Sequence, residues 1–338
     1  MVSLYDLSLA EIEGLCADLG ERPFRARQLY SWLYGKGEND FGKMTDLPAL
    51  TREKLAEASI TDNLVLKEMI SSEDKKTAKF LFKTHDGNYI ETVFMKYKDR
   101  NSICISTQAG CRMGCRFCAS GVLGLSRDLS PSEMALQIIL AERASEKKIK
   151  NIVLMGIGEP LDNFDNVKKF IENFTDDHGR DLSRRSITLS TCGLPPGIKR
   201  LAKELPQVNL AVSLHAPNDE MRKKIMPVTK KYGVNEVLSA AKEHYAATHR
   251  RPTFEYALIG GFNDREEHAA GLAGILKGMN CIVNLIPLNS AGTDLGSSAE
   301  TAERFREDLG RRNIPATVRK SLGADIDAAC GQLRLNRR

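Results

Sequence analysis

Ser102-Ile103-Cys104-Ile105-Ser106, then Thr107-Gln108-Ala109-Gly110, then Cys111-Arg112-Met113-Gly114-Cys115-Arg116-Phe117-Cys118 is the stretch on which the fold turns. The first five residues read as a buried strand, and three cysteines follow in one loop. A helix start comes next, with Ser130 as N-cap, Pro131 at the first helical position and Glu133 completing a capping box. The same order of strand, loop and helix recurs downstream. Strands are expected at Asn151–Gly156, Arg185–Ser190, Val208–Leu214, Thr253–Leu258 and Ile282–Pro287. Helices are expected near 131–145, 165–174, 196–204, 234–247, 265–277 and 299–312. Near-continuous apolar strands alternating with helices imply a parallel sheet covered by helices. About six such units are too few to close an eight-stranded barrel, so the expected class is α/β, a partial (βα)6 barrel.

Upstream the pattern changes twice. Residues 1–60 carry apolar residues at helical spacing (Leu9, Ile12, Leu15, Cys16, then Leu29, Trp32, Leu33) and read as a small helical accessory unit. Residues 61–100 alternate as strands do, with His85-Asp86-Gly87-Asn88 as a turn between Lys79–Phe82 and Tyr89–Phe94, and read as a β-hairpin extension. The barrel is then expected over 101–338.

The chain has 338 residues, of which 42% are hydrophobic and 28% charged, a globular composition that excludes fibrous and disordered classes. No apolar run approaches the ~18 residues of a membrane span. Met1–Asp6 lacks the basic start of a signal peptide, so a cytoplasmic protein is expected. Net charge is +5, and from Arg304 to Arg338 nine Lys/Arg face four acids, an excess as large as that of the whole chain. A basic end suits a polyanionic partner, although solvated charge explains such runs equally well.

Eight cysteines in a chain without secretory features argue for metal or redox use. Three thiolates are one short of the usual four protein ligands of structural zinc. On a 4Fe–4S cluster, usually held by four cysteines, they would leave one iron open to a small molecule, with Phe117 placed to shield it. Polar residues also collect where the strands end: Glu159, Ser190, Ser213, His215 and Asn289. Parallel α/β folds carry their chemistry there. Gly156-Ile157-Gly158-Glu159-Pro160 fails as a dinucleotide fingerprint because Leu161 occupies the third glycine position. Its glycines are expected to let a ligand approach the backbone, and Glu159 to meet the ligand's ammonium.

The CxxxCxxC loop directly after the first strand of a partial barrel resembles the signature of radical S-adenosylmethionine (SAM) enzymes. The C-terminal Asp325-Ile326-Asp327-Ala328-Ala329-Cys330-Gly331-Gln332-Leu333 is similar, almost letter for letter, to a segment of the RlmN/Cfr rRNA-adenine methyltransferases. That resemblance implies one 4Fe–4S cluster on Cys111, Cys115 and Cys118, with SAM on its open iron. It implies SAM contacts from Gly158, Glu159, Ser190, Ser213, Leu214, His215 and Asn289. Cys330 matches the cysteine that becomes methylated, Cys104 the second catalytic cysteine, and Glu91 a glutamate that accepts a proton. Cys16, Cys192 and Cys281 match no role and are read as packing residues.

The resemblance further implies two SAM molecules per turnover. One methylates Cys330; the other yields the 5′-deoxyadenosyl radical that takes a hydrogen from that methyl. The methylene adds to an electron-poor adenine carbon, and Cys104 forms a transient disulfide with Cys330 as product leaves. Pro160 stands where the carbon-2 enzymes have it, and Cfr-type carbon-8 enzymes tend to have Ala. The implied partners are 23S rRNA, tRNA beside the anticodon and a flavodoxin-like electron donor, for a monomeric protein away from membranes. Arg22, Arg25, Arg27 and Trp32 are expected to grip RNA, Trp32 alternatively serving packing. Two rivals remain: a radical SAM enzyme of other substrates, and a non-catalytic RNA-binding protein with a structural zinc loop.

Overall fold

The computed structural model describes residues 1–121, 124–288, 297–319 and 322–328. In chain order, β1 (Val2–Ser3), α1 (Leu9–Asp18), α2 (Phe24–Tyr30), α3 (Ala49–Ala58) and β2 (Ser59–Ile60) form the N-terminal part. There follow β3 (Leu64–Ser71), β4 (Thr77–Thr84), β5 (Tyr89–Lys96), β6 (Asn101–Cys104), β7 (Gln108–Gly110) and β8 (Leu125–Asp128). The repeating part comprises α4 (Pro131–Ser145), β9 (Asn151–Leu154), α5 (Phe164–Phe174), β10 (Ile187–Thr191), α6 (Pro195–Glu204), β11 (Asn209–Ser213), α7 (Asp219–Ile225) and α8 (Val234–Thr248). It closes with β12 (Thr253–Leu258), α9 (Glu266–Leu276), β13 (Ile282–Pro287), α10 (Ala299–Arg311) and β14 (Ala316–Val318).

One ten-stranded sheet runs in the order β14-β13-β12-β11-β10-β9-β6-β5-β4-β3. From β6 to β14 every neighbouring pair is parallel. This gives six βα strands and a short seventh, with free edges at β14 and β3: an open barrel. β3, β4, β5 and β6 are antiparallel neighbours. The extension is therefore a three-stranded meander continuous with the barrel sheet, one strand more than a hairpin. Leu64–Ser71 alternates in burial along its whole length, with one register shift in its pairing between Leu66 and Glu68.

Local chemistry accounts for the element starts. Ser130 and Glu133 do form a capping box on α4, the Glu133 carboxylate accepting from the Ser130 N–H at 3.0 Å. Helix α7 carries no apolar stripe, only Asp219-Glu220-Met221-Arg222-Lys223-Lys224-Ile225, so helical periodicity does not reveal it. Asn218 nevertheless caps it, accepting from the Met221 N–H at 2.9 Å.

The N-terminal helices share the barrel's core. Tyr34 stacks edge-on against Phe174 of α5, and its hydroxyl donates to the Tyr5 carbonyl at 2.9 Å. The Tyr30 hydroxyl donates to the Asn173 carbonyl at 2.9 Å. Trp32 is half-buried, donates from Nε1 to Asp46 and lies under the Lys36 ammonium, which is consistent with packing. Arg22, Phe24 and Arg27 are exposed. Arg25 stacks on Phe24 and bonds to Gln28. Among the described residues no helix is long and apolar enough to cross a membrane.

Candidate active site: a cysteine-lined cavity at the strand ends

β7 and β8 pair as a short antiparallel ladder, so the three-cysteine segment is the loop of a hairpin pinched at its base. At the pinch the Cys111 N–H donates to the Gly124 carbonyl at 2.9 Å. Gly110 has φ +87°, and a Cβ there would lie 2.0 Å from that same oxygen, so only glycine fits. The far side of the loop rests on the C-terminus of α7, where the Arg116 N–H donates to the Ile225 carbonyl at 2.9 Å.

Cys111, Cys115 and Cys118 line one cavity with Phe117, Gly158, Glu159, Ser190, Ser213 and His215. It encloses about 930 Å³ including its open mouth, the size of cofactor pockets. The strand-end polar residues thus converge on the cysteine loop. Leu214 instead sits in the apolar core. Asn289 and Cys330 lie outside the described residues.

Glu159 is 3% exposed. Its carboxylate accepts from the Cys192 N–H at 2.7 Å and the Leu161 N–H at 3.1 Å, and burial raises its pKa. No Lys or Arg pairs with it within 4 Å among the described residues. A buried carboxylate aimed by neutral donors, two peptide N–H groups and the Cys192 and Thr191 side chains, can receive a cationic group from a ligand. Gly156 and Gly158 line the cavity, as ligand approach requires, and they also serve packing. A Cβ on Gly156 would lie 2.6 Å from the Ile105 carbonyl oxygen, and one on Gly158 2.7 Å from the Gln108 Cβ. The glycines let the segment after β9 lie close against the residues that lead from β6 into the cysteine loop.

His215 has φ +58° and is buried. Its Nδ1 accepts from the Ala257 N–H at 2.9 Å, and Phe117 meets it edge-on at 4.8 Å. Burial, then the Arg222 charge, holds the imidazole neutral with its pKa down at about 3. Burial also pushes the Cys111 and Cys115 thiols up to about 12, so they lose their protons to a metal rather than to water. The three sulfurs are not gathered within 4.8 Å of one another. A single tetrahedral ion with ~2.3 Å zinc–sulfur bonds would draw them to under about 4 Å. The donor set therefore fits a thiolate-held cluster, which spreads its ligands over several irons.

Where the extension meets the barrel, Cys104 of β6 faces Val93 of β5 in register and is 7% exposed. It packs with Val93, Met95, Ile157 and Ala328, and Met155 joins this cluster to the cavity wall. Glu91 lies two residues from Val93 on β5 and is only 4% exposed, not a surface carboxylate. It pairs with Lys79 at 3.3 Å, and Lys79 also donates to the Asp327 carbonyl at 3.2 Å. The Glu73 N–H donates to Asp325 at 3.0 Å, so the C-terminal segment is docked across β4. The expected Cys104–Cys330 disulfide is not seen: among the described residues no two cysteines are joined, and Cys330 is not one of them.

Four buried positions in or near the site were missed by sequence reasoning. Cys192, read as packing, lines the cavity and orients Glu159 through its N–H. Glu255 lines the cavity, accepts from Asn284 Nδ2 at 2.9 Å and is pushed up by burial. Lys79 and Arg222 complete the set. Glu255 and Lys79 had a signal, a charge inside a strand otherwise buried. Arg222, on a helix without pattern, had none.

Two family models match the chain. "Ribosomal RNA large subunit methyltransferase N-terminal domain" covers residues 2–60, and "Radical SAM superfamily" covers 105–273. A curated protein of Pelotomaculum thermopropionicum named "Probable dual-specificity RNA methyltransferase RlmN" is 49% identical over 98% of this chain and 91% of its own length. One of the same name from Thermoanaerobacter sp. is 47% identical over 99% and 98%. The crystal structure of a radical SAM methyltransferase from Sphaerobacter thermophilus superposes with a TM-score of 0.96 at 44% identity, over 99% of both chains.

Proposed function

The chain belongs to the RlmN family of dual-specificity radical SAM RNA methyltransferases, and on that premise we propose that it methylates carbon-2 of one 23S rRNA adenosine in the peptidyl transferase centre, and of the adenosine beside the anticodon in tRNAs, through an S-methylcysteine at Cys330. A radical SAM domain uses a 4Fe–4S cluster and SAM. Cys111, Cys115 and Cys118 would hold the cluster. Glu159, with Gly158, Ser190, Ser213, His215 and Asn289, would hold SAM. When bound, this pair supplies a transferable methyl group and, by one-electron reduction, a hydrogen-abstracting radical.

The chain's own groups do the rest. Carbon-2 of adenine is electron-poor and does not attack a sulfonium, whereas a thiolate does. Cys330 is the nucleophile that takes the methyl in a first use of SAM, and a second SAM activates it. Glu91 accepts the ring proton, the adduct would return one electron to the cluster, and Cys104 then attacks the Cys330 sulfur, so that a disulfide forms as the sulfur–carbon bond breaks and the released carbon takes up a proton. Residues 1–60 act as the RNA-binding unit, with exposed Arg22 and Arg27 contacting phosphates.

The observation that carries this reading is that Ala328, Cys104 and Ile157 belong to one buried cluster. The C-terminal segment reaches the second cysteine two residues before Cys330, beside the wall of the cavity. The experiment is Cys104→Ala, which is expected to accumulate protein covalently attached to RNA, seen as a slow band that nuclease collapses. Free, fully methylated RNA from that variant removes Cys104 from the mechanism.

A further inference from the structure

Arg222 is 0% exposed, in the second turn of α7. Its Nε donates to the Leu214 carbonyl at 3.0 Å and its Nη1 to Thr229 Oγ1 at 2.9 Å. Its Nη2 donates to the carbonyls of Ser213, at 3.0 Å, and Cys192. All four acceptors are neutral. Among the described residues no carboxylate lies within 4 Å, and Asp219 on the same helix accepts instead from the Val234 N–H at 2.7 Å. A guanidinium cannot shed its charge, and a buried charge is ordinarily cancelled by a partner of opposite sign. Joining two loops needs donors but no cation.

The charge lies directly beneath the cysteine loop. Ile225, one turn along α7, takes the Arg116 N–H, and Ile225 and Met226 pack against Met113, Cys115 and Phe117. Burial lowers the Arg222 pKa, and Cys192 and Cys115 are the first groups to offset it. The Cys192 thiol is itself driven well up by burial and stays neutral. The Asp219 carboxylate also offsets the charge from beyond 4 Å, and on the side of the cysteine loop the anion that answers Arg222 is the loop's own thiolate set with what it binds. Such a cluster is anionic and gains another negative charge on reduction.

We propose that Arg222 is the counter-cation of the cluster held by Cys111, Cys115 and Cys118. It is a positioning residue that fixes the loops after β10 and β11 and raises the cluster's reduction potential. The inference rests on the reading of those cysteines as cluster ligands. It is tested on the full chain, reconstituted anaerobically with iron and sulfide, by redox titration followed by electron paramagnetic resonance.

Arg222→Gln is expected to move the midpoint negative by at least about 59 mV, a tenfold change for one electron, while Arg222→Lys stays near the unmodified protein. Thr229→Asp keeps the arginine but sets a carboxylate against Nη1, and is expected to move the midpoint in the same negative direction. Equal displacement in the Gln and Lys variants overturns the proposal, because charge is then not the cause. If Arg222→Gln does not fold, Thr229→Asp decides alone, and an unmoved midpoint overturns it. Unmodified protein that takes up no cluster overturns the parent reading together with this one; a cluster with unmoved potentials overturns this one only.

Discussion

Two buried charge arrangements differ in one respect. On the sheet extension, Lys79 and Glu91 answer each other at 3.3 Å, side chains 8% and 6% exposed. At the strand ends, Glu159 and Arg222 both bond to the backbone of Cys192: the carboxylate takes its N–H and the guanidinium donates to its carbonyl. Neither has an opposite charge within 4 Å among the described residues. The first arrangement is complete and anchors structure, holding the C-terminal segment through the Asp327 carbonyl. On the proposed reading, ligands complete the second, an ammonium for Glu159 and an anionic cluster for Arg222. A compensated pair holds the fold even where one member, Glu91, has a proposed chemical role, and an uncompensated charge is open to a ligand.

The largest effect is expected where the compensated pair is broken. Lys79→Met should destabilise the ligand-free protein by about 3–5 kcal/mol, because it strands the Glu91 charge. Lys79→Met with Glu91→Leu should recover most of that, as read by urea denaturation of all four members of the cycle. A double variant no better than the single breaks the comparison.

Glu159→Gln should behave in the opposite way. Stability without ligands should stay level or rise, since a buried carboxylate becomes neutral. SAM binding to reconstituted protein should weaken roughly 10- to 100-fold, in line with ~1.5–3 kcal/mol for hydrogen bonds to charged groups. Calorimetric titration with SAM checks this, and unaltered affinity removes Glu159 as the ammonium's receptor.

The smallest effect concerns buried bases. His244 is 1% exposed and burial lowers its pKa to about 4, as it lowers that of His215 to about 3. A depressed histidine contributes stability that is fully present above the unfolded value near ~6.5 and is lost as pH falls toward the folded value. Between pH 7 and 6, His244 alone should cost about 0.7 kcal/mol. Denaturation of His244→Gln at both pH values should show that increment missing; an unchanged pH slope contradicts a neutral His244.

Much of the fold was legible because its signals are short-range. Thr253–Leu258 and Ile282–Pro287 are apolar runs bounded by turns, and they are strands over the same residues. The Ser130–Glu133 box sets where α4 begins for a reason contained in four residues. What stayed hidden depends on neighbours far along the chain. That Gly156 and Gly158 also serve packing shows only once Ile105 and Gln108 occupy the space of a side chain. That Glu91 is buried and paired shows only once β4 brings Lys79 beside it.

The sequence by itself determined the alternation of strand and helix, the three-thiol loop and the chemistry those thiols can do. Periodicity, capping and ligand type are properties of adjacent residues. Only the tertiary structure decided which charges would be answered. Burial sets the cost of a charge and distance sets its remedy, and both depend on which segments fold against each other. Lys79 meets Glu91 because β4 pairs with β5. Arg222 and Glu159 meet only neutral partners, the carbonyl and the N–H of Cys192 among them, with no opposite charge within 4 Å among the described residues.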